Sequence, residues 1–364
     1  MSGPVVIAAG GTGGHMFPAL ALARELRQRG RSVMVLTDSR GARYVDKDVS
    51  CQLIQAGSPS GSIGSRLGGV GRLSVGLAQC LALFLRIRPE AAACFGGYAS
   101  VPPALAAAAS RRPLMIHEQN AVVGKANRMV ARFAARIALS FEHTQRTSRL
   151  PHERMVVTGN PVRIGFTVGG ERYRAPMRGE PFRVLVLGGS QGARVFSDVV
   201  PAAMPLLPEI QRRRLVITQQ CRPEDLERTR SAYAALGMKP ELSSFFADVP
   251  SLLAATHLVV TRSGASTIAE LLAAGRPSLL VPYLHAADDH QHANAGELAH
   301  AGAAELMPEK SFTPGLFAER LRLFMEEPAR LDTMASRARG LARPDAAQRL
   351  ADTMLAMIRP EGRA

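Results

Sequence analysis

The sequence predicts an α/β protein made of two similarly built domains. Three observations carry this. The apolar run Val5-Val6-Ile7-Ala8-Ala9 collapses into Gly10-Gly11-Thr12-Gly13-Gly14-His15. A second run, Val184-Leu185-Val186-Leu187, collapses in the same way into Gly188-Gly189-Ser190-Gln191-Gly192-Ala193. A buried parallel strand that feeds a tight turn and then a helix reads like this. The third observation is length: 364 residues exceed one comfortable core and suit two domains. Two Rossmann-like domains satisfy all three.

The elements follow in order. After the opening strand, residues 19–29 read as a helix and Val33–Thr37 as the next strand. Residues 114–117 and 155–158 are further strand candidates in the first half. In the second half, residues 215–218, 258–261 and 278–282 have the same short apolar character and end in polar or turn residues. Between the halves, residues 160–181 contain Pro161, Gly165, Gly169, Gly170, Pro176 and Gly179, a breaker-rich joint. The first domain is therefore placed at residues 1–163 and the second at 164–344. Residues 345–358 read as a helix, in a C-terminal segment 345–364 that packs back on the first domain.

Composition narrows the functional classes. Cys51, Cys80, Cys94 and Cys221 lack metal-ligand or redox spacing, which fits a reduced cytosolic interior. The first apolar run has no basic residues before it and enters glycines directly, unlike a secretory signal. No run of 18 uncharged apolar residues occurs, so no membrane span is expected. The net charge is +15, and residues 1–163 hold 21 Lys+Arg against 8 Asp+Glu. A basic first half fits nucleic acid, an anionic membrane or a phosphorylated substrate. Coding bias in a GC-rich genome is the bland alternative, but bias alone would not spare the second half. Five Tyr, no Trp and no aromatic–basic interleaving argue against nucleic acid.

The glycine turns suit an anion or polar ligand, because helix N-termini favour negative charge and glycine lets a ligand approach the backbone. A tight turn without a ligand is the competing reading. A dinucleotide fingerprint is incomplete: Gly11-x-Gly13 is present, but Met16 stands where the third glycine belongs. Asp38 at the end of the second strand keeps a nicotinamide oxidoreductase in play. A P-loop fails at Gly124-Lys125, which lacks both the leading glycine and the following Ser/Thr. A third turn, Arg262-Ser263-Gly264-Ala265-Ser266-Thr267-Ile268-Ala269-Glu270, opens a helix at residues 268–274 and suits a diphosphate. Spacing alone favours Thr267-x-x-Glu270 as a capping box, against a ribose-binding carboxylate. His285, Asp288, Asp289, His290 and His292 match no closed zinc site and read as a solvated loop; no metal or other cofactor is expected.

Six motifs in order make a more specific pattern: GGTGGH at 10–15, FGGYAS at 95–100, HEQN at 117–120, GNPVR at 159–163, GGSQGA at 188–193 and RSGASTIAE at 262–270. The whole chain resembles the bacterial undecaprenyldiphospho-muramoylpentapeptide β-N-acetylglucosaminyltransferases. That resemblance implies the GT-B fold, two Rossmann-like domains facing across a cleft. It implies inverting, metal-independent transfer of N-acetylglucosamine from UDP-GlcNAc to the C4 hydroxyl of the muramoyl sugar of lipid I, giving lipid II for peptidoglycan.

Site residues follow from the same resemblance. In the second domain, Ser190 corresponds to a hydroxyl on the donor diphosphate, and Phe246 to a position whose backbone reads the uracil. Ala265, Ser266, Thr267, Ile268 and Ala269 correspond to the phosphate-binding helix start, and Glu270 to the ribose ligand, which reverses the preference for a cap. Gln291 corresponds to the glutamine that reads GlcNAc hydroxyls, with His290 as the alternative because the loop is one residue longer than in some relatives. In the first domain, Thr12, Gly13 and Gly14 line the reaction centre, and Asn120 and Arg163 reach donor groups. His15 is the candidate general base, against a helix-capping role, with Glu118 in reserve.

Residues 51–89 contain no Asp or Glu but include Arg66, Arg72, Arg86 and Arg88 around the apolar run 73–85. That run is too short to span a bilayer. A core helix is the plain reading of its inner face. An outer strip meeting the anionic inner leaflet is the functional one, with peripheral attachment to the cytoplasmic face of the inner membrane, weakened by salt. Cell-wall synthesis proteins are the protein partners that the resemblance allows.

Overall fold

The computed structural model describes residues 3–58, 62–163, 165–166, 172–189 and 192–358. The chain divides into two compact units, Met1–Arg163 with Arg343–Ala364, and Ile164–Ala342.

The first unit runs β1 (Val5–Ala8), α1 (Gly13–Gln28), β2 (Val33–Thr37), β3 (Ser50–Leu53), α2 (Ile63–Ile87), β4 (Ala91–Cys94), α3 (Val101–Ala109), β5 (Leu114–Glu118), α4 (Lys125–Val130), β6 (Arg136–Leu139) and β7 (Met155–Val157). Its described strands form one sheet, ordered β3-β2-β1-β4-β5-β6-β7, with every pairing parallel. Helices cover both faces, which is why β1, β4 and β5 are buried along their whole length.

The second unit runs β8 (Phe182–Leu187), α5 (Arg194–Ala203), α6 (Glu209–Arg212), β9 (Leu215–Gln220), α7 (Leu226–Ala234), β10 (Glu241–Ser243), α8 (Val249–Ala254), β11 (Leu258–Thr261), α9 (Ala265–Ala274), β12 (Ser278–Leu280), α10 (His290–His300), β13 (Glu305–Leu306), α11 (Pro314–Glu326) and α12 (Pro328–Leu341). Its parallel sheet is ordered β10-β9-β8-β11-β12-β13, repeating the order of the first unit without a counterpart to β7 among the described residues. The core beneath it packs Phe182, Phe196, Tyr233, Phe312, Phe317 and Phe324.

In each sheet the strand order reverses direction at one place, between β1 and β4 and between β8 and β11. Loops at the carboxyl ends of the strands diverge there and leave a crevice, the usual ligand position in open α/β sheets. The glycine motifs sit on these loops. The last helix, α13 (Ala346–Met357), lies in the first unit. It packs against α1, with Leu350, Ala351 and Met354 buried among Leu22, Leu26 and their neighbours. Arg29, the residue just after α1, pairs with Asp352.

Two elements differ from expectation. Helix α1 begins at Gly13, six residues before the expected start, since the glycines form its first turn and Pro18 lies inside it. Helix α2 extends over 25 residues rather than the apolar run alone. By length and composition it could cross a membrane, with a mean hydropathy of 1.5 over an 18-residue window within Gly64–Ile87. Its inner face is instead fastened to the first unit, where Cys80, Leu83 and Phe84 join the core and the helix packs on α3. Gly, Ser and Gln dilute the run in the sequence, which hid the helix's length.

Candidate active site

The opening loop is built by close approach of two backbones. Gly10 N–H donates to Gly96 O at 3.0 Å. A Cβ on Gly10 would lie 2.9 Å from the Gly97 Cα, and one on Gly97 2.8 Å from the Gly10 Cα. Both distances are forbidden to real side chains, so the β1 and β4 loops touch only because both carry glycine.

Thr12 is the residue before α1, yet its side chain caps no backbone N–H. Its Oγ1 lies 2.9 Å from His15 Nδ1 instead. The hydroxyl that normally satisfies a helix end is spent on orienting an imidazole. A Cβ on Gly96 would be 3.3 Å from His15 Nε2 and 3.6 Å from Asn127 Nδ2, so imidazole, glycine turn and Asn127 are neighbours. Arg163 lies over the Phe17 ring of α1, 5.2 Å from its centroid.

Glu118 ends β5 and is buried. Its Oε1 accepts from Asn120 N–H at 3.0 Å and Asn120 Nδ2 at 3.2 Å. Its Oε2 accepts from Gly124 N–H at 2.9 Å and Asn127 Nδ2 at 2.8 Å. Burial pushes this carboxyl above its usual range, and the four donors pull the other way. A protonated oxygen would set an O–H against one of those donors, so the site is built for the carboxylate.

His117 holds the neighbouring layer. Its Nε2 lies 3.0 Å from Gly159 O and its Nδ1 3.0 Å from Gln119 Nε2, while Gln119 also donates to Phe95 O at 3.0 Å. One ring nitrogen must donate and the other accept, so the imidazole is neutral. Burial lowers its pKa to about 4, with nearby His15 adding to the drop and the Gly159 bond opposing it. The unfolded chain takes up this proton near pH 6.5. Stability is therefore complete above that value and falls as pH drops towards 4, by about 3 kcal/mol in total. Urea midpoints measured from pH 7 to 4.5 are expected to fall more steeply for the wild type than for His117→Gln. Parallel slopes would refute the assignment.

In the second unit, Gly188 sits in a turn so tight that a Cβ would meet Ala193 N at 2.4 Å. Its N–H donates to Gln220 Oε1 at 3.1 Å, and Gln220 Nε2 donates to Ser244 O at 3.3 Å. Gln220 thus ties the β8 loop to the segment carrying Phe246, which is half-buried beside an exposed Phe245. Ser190 lies outside the described residues.

Helix α9 starts at Ala265 with Gly264 as its cap residue. Thr267 is therefore inside the first turn, and the capping-box reading fails. Residues 265–267 present early helical N–H groups, and the buried Ser266 Oγ has no hydrogen-bond partner among the described residues. Glu270 is buried one turn further on. Ser263 Oγ donates to Gln291 O at 2.8 Å and Asn294 Nδ2 to Ser263 O at 3.0 Å, which ties the helix entry to α10. Gln291 Oε1 accepts from Tyr283 N–H at 2.9 Å, whereas the His290 ring turns to Ala287 O, 2.6 Å away. Asn127 and Gln220 carry no sequence signal, and Gln119 only its place in the 117–120 motif; a lone buried amide becomes informative only with its partners.

The family model described as "Glycosyltransferase family 28 N-terminal domain" matches residues 5–139, and the "Glycosyltransferase family 28 C-terminal domain" matches 183–350. The UDP-N-acetylglucosamine–N-acetylmuramyl-(pentapeptide) pyrophosphoryl-undecaprenol N-acetylglucosamine transferase of Rhodospirillum centenum is 48% identical, over 97% of this chain and 94% of its own. Its counterpart in Rhodospirillum rubrum is also 48% identical, over 97% and 91%. The crystal structure of Acinetobacter baumannii MurG superposes with a TM-score of 0.81 at 29% identity, covering 97% of this chain and 99% of that one. Two parallel Rossmann-like sheets, glycine loops at both switch points and these full-length matches agree: the chain belongs to glycosyltransferase family 28, among the N-acetylglucosamine transferases that its relatives name.

Proposed function

We propose that the protein transfers N-acetylglucosamine from UDP-GlcNAc to lipid I, forming lipid II. The observation that carries this is the 48% identity over nearly the whole length of transferases named for that reaction. In this reading the second unit holds the donor. The α9 N-terminus, with Ser266 and Thr267, faces the diphosphate and offsets the charge that grows on departing UDP. Ser190, the Phe246 backbone and Glu270 bind the remaining nucleotide, and Gln291 the sugar. The first unit takes the acceptor. There Thr12 accepts from His15 Nδ1–H, which leaves Nε2 to remove the proton of the attacking hydroxyl. Asn120 and Arg163 serve donor groups.

The purified enzyme is expected to release UDP from UDP-GlcNAc only when a lipid I analogue is present. UDP-GlcNAc, but not NAD or RNA, should raise its melting temperature. No transfer and no response to uridine nucleotides would end this reading.

The same reading places the protein peripherally on the cytoplasmic face of the inner membrane. Helix α2 supports it. Leu67 is 69% exposed and Leu85 76%, with Val70 and Val75 about half exposed between them. Arg66, Arg72, Arg86 and Arg88 are exposed on or beside this helix. Such arginines contribute about 1 kcal/mol each near anionic lipid. Sedimentation should show binding to vesicles containing phosphatidylglycerol, weakened by salt and cut about tenfold or more by Leu67→Asp with Leu85→Asp. Equal binding to neutral vesicles would count against it.

A further inference from the structure

Arg262 directly follows β11 and is buried, which demands compensation for its charge. Its Nη1 donates to Val281 O at 3.1 Å, Pro282 O at 3.3 Å and Glu309 Oε2 at 3.0 Å; its Nη2 donates to Glu309 Oε1 at 3.0 Å. The guanidinium also lies 5.3 Å from the Phe196 ring centroid and 5.4 Å from that of Tyr283. Glu309 Oε2 in turn accepts from Leu284 N–H at 2.9 Å.

The backbone of residues 281–284 is thereby held from both sides. Arg262 takes two successive carbonyls, Glu309 takes the Leu284 N–H, and the remaining Tyr283 N–H goes to Gln291 Oε1. That last bond fixes which way the Gln291 amide faces: an N–H can only meet its oxygen, so the side chain offers a ligand its Nε2 donors. Between these points Asp288 and Asp289 both adopt left-handed backbone, φ 55°. Gln291 O is also tied through Ser263 to the loop that Arg262 begins.

We infer that Arg262 and Glu309 are positioning residues for donor-sugar selectivity, clamping residues 281–284 so that Gln291 presents Nε2 to a sugar hydroxyl. The inference rests on the reading that Gln291 contacts the donor sugar. A bidentate Arg–carboxylate pair suits the task because its planar fork fixes direction as well as distance. Neither residue needs to touch the ligand.

The test compares Arg262→Lys, Glu309→Gln and Gln291→Ala in the full chain. It measures kcat/KM for UDP-GlcNAc and for UDP-GalNAc, its epimer at one hydroxyl, together with calorimetric affinity for UDP. All three variants are expected to narrow the preference for UDP-GlcNAc about tenfold or more, with UDP affinity unchanged within about twofold. UDP affinity falling in parallel with activity would reduce the pair to a structural prop and overturn the inference. If Gln291→Ala alone narrows the preference, the clamp is wrong and the sugar contact stands. If Gln291→Ala leaves the preference intact, the contact itself is wrong and the inference falls with it. Should Arg262→Lys not fold, the nearly isosteric Glu309→Gln decides.

Discussion

His15→Ala is expected to lower turnover by about 10²–10⁴-fold while leaving UDP affinity nearly unchanged. The argument starts at Thr12, whose Oγ1 lies 2.9 Å from His15 Nδ1. A base must keep a lone pair for the incoming proton, so the useful arrangement has Nδ1–H donating to the hydroxyl oxygen and Nε2 unprotonated. Thr12→Val removes that acceptor without changing the side chain's shape. It should cost less than deletion of the ring, about tenfold, by freeing the tautomer and orientation. His15 is assigned no contact with the nucleotide, so calorimetry with UDP should separate a chemical defect from a binding one. Near-normal turnover in His15→Ala would move the base elsewhere.

Glu118→Ala is expected to destabilise the first unit by about 3–5 kcal/mol, because buried donors would lose an ionised partner. For a unit of this size that is a fall in melting temperature of roughly 6–20 °C. Activity should fall with it. Glu118→Gln separates organisation from base catalysis. Its amide keeps one acceptor but sets an NH2 group against either the Asn120 or the Gly124 and Asn127 donors. An organising carboxylate predicts a clear loss of melting temperature in Glu118→Gln. Unchanged melting with activity abolished would instead make Glu118 the base. The geometry favours the first outcome, since the two oxygens already accept four hydrogen bonds.

The strands legible in the sequence were those made of β-branched and leucine residues, such as Val5–Ala8 and Val33–Thr37. Strand β4 was not, because Ala91-Ala92-Ala93-Cys94 has helical propensity and becomes a strand only between β1 and β5. The glycine turns announced themselves, because close backbone approach leaves glycine as the only choice. The networks behind them did not. Asn127 serves Glu118 from helix α4, and Glu309 reaches Arg262 from 47 positions away. The misplaced cap at Thr267 shows the same limit: spacing reveals that two side chains share a helix face, but not where the first turn begins.

The placement of α13 bears on how the chain is made. The second unit is continuous in the chain, while the first is completed by residues from the far end. During synthesis the later-encoded unit has all its parts before the earlier one does. Until Leu350, Ala351 and Met354 leave the ribosome, the α1 surface that they cover stays open to water and to passing chaperones. Chains truncated at residue 345 and released should therefore resist protease over residues 164–342 and be cut near the start.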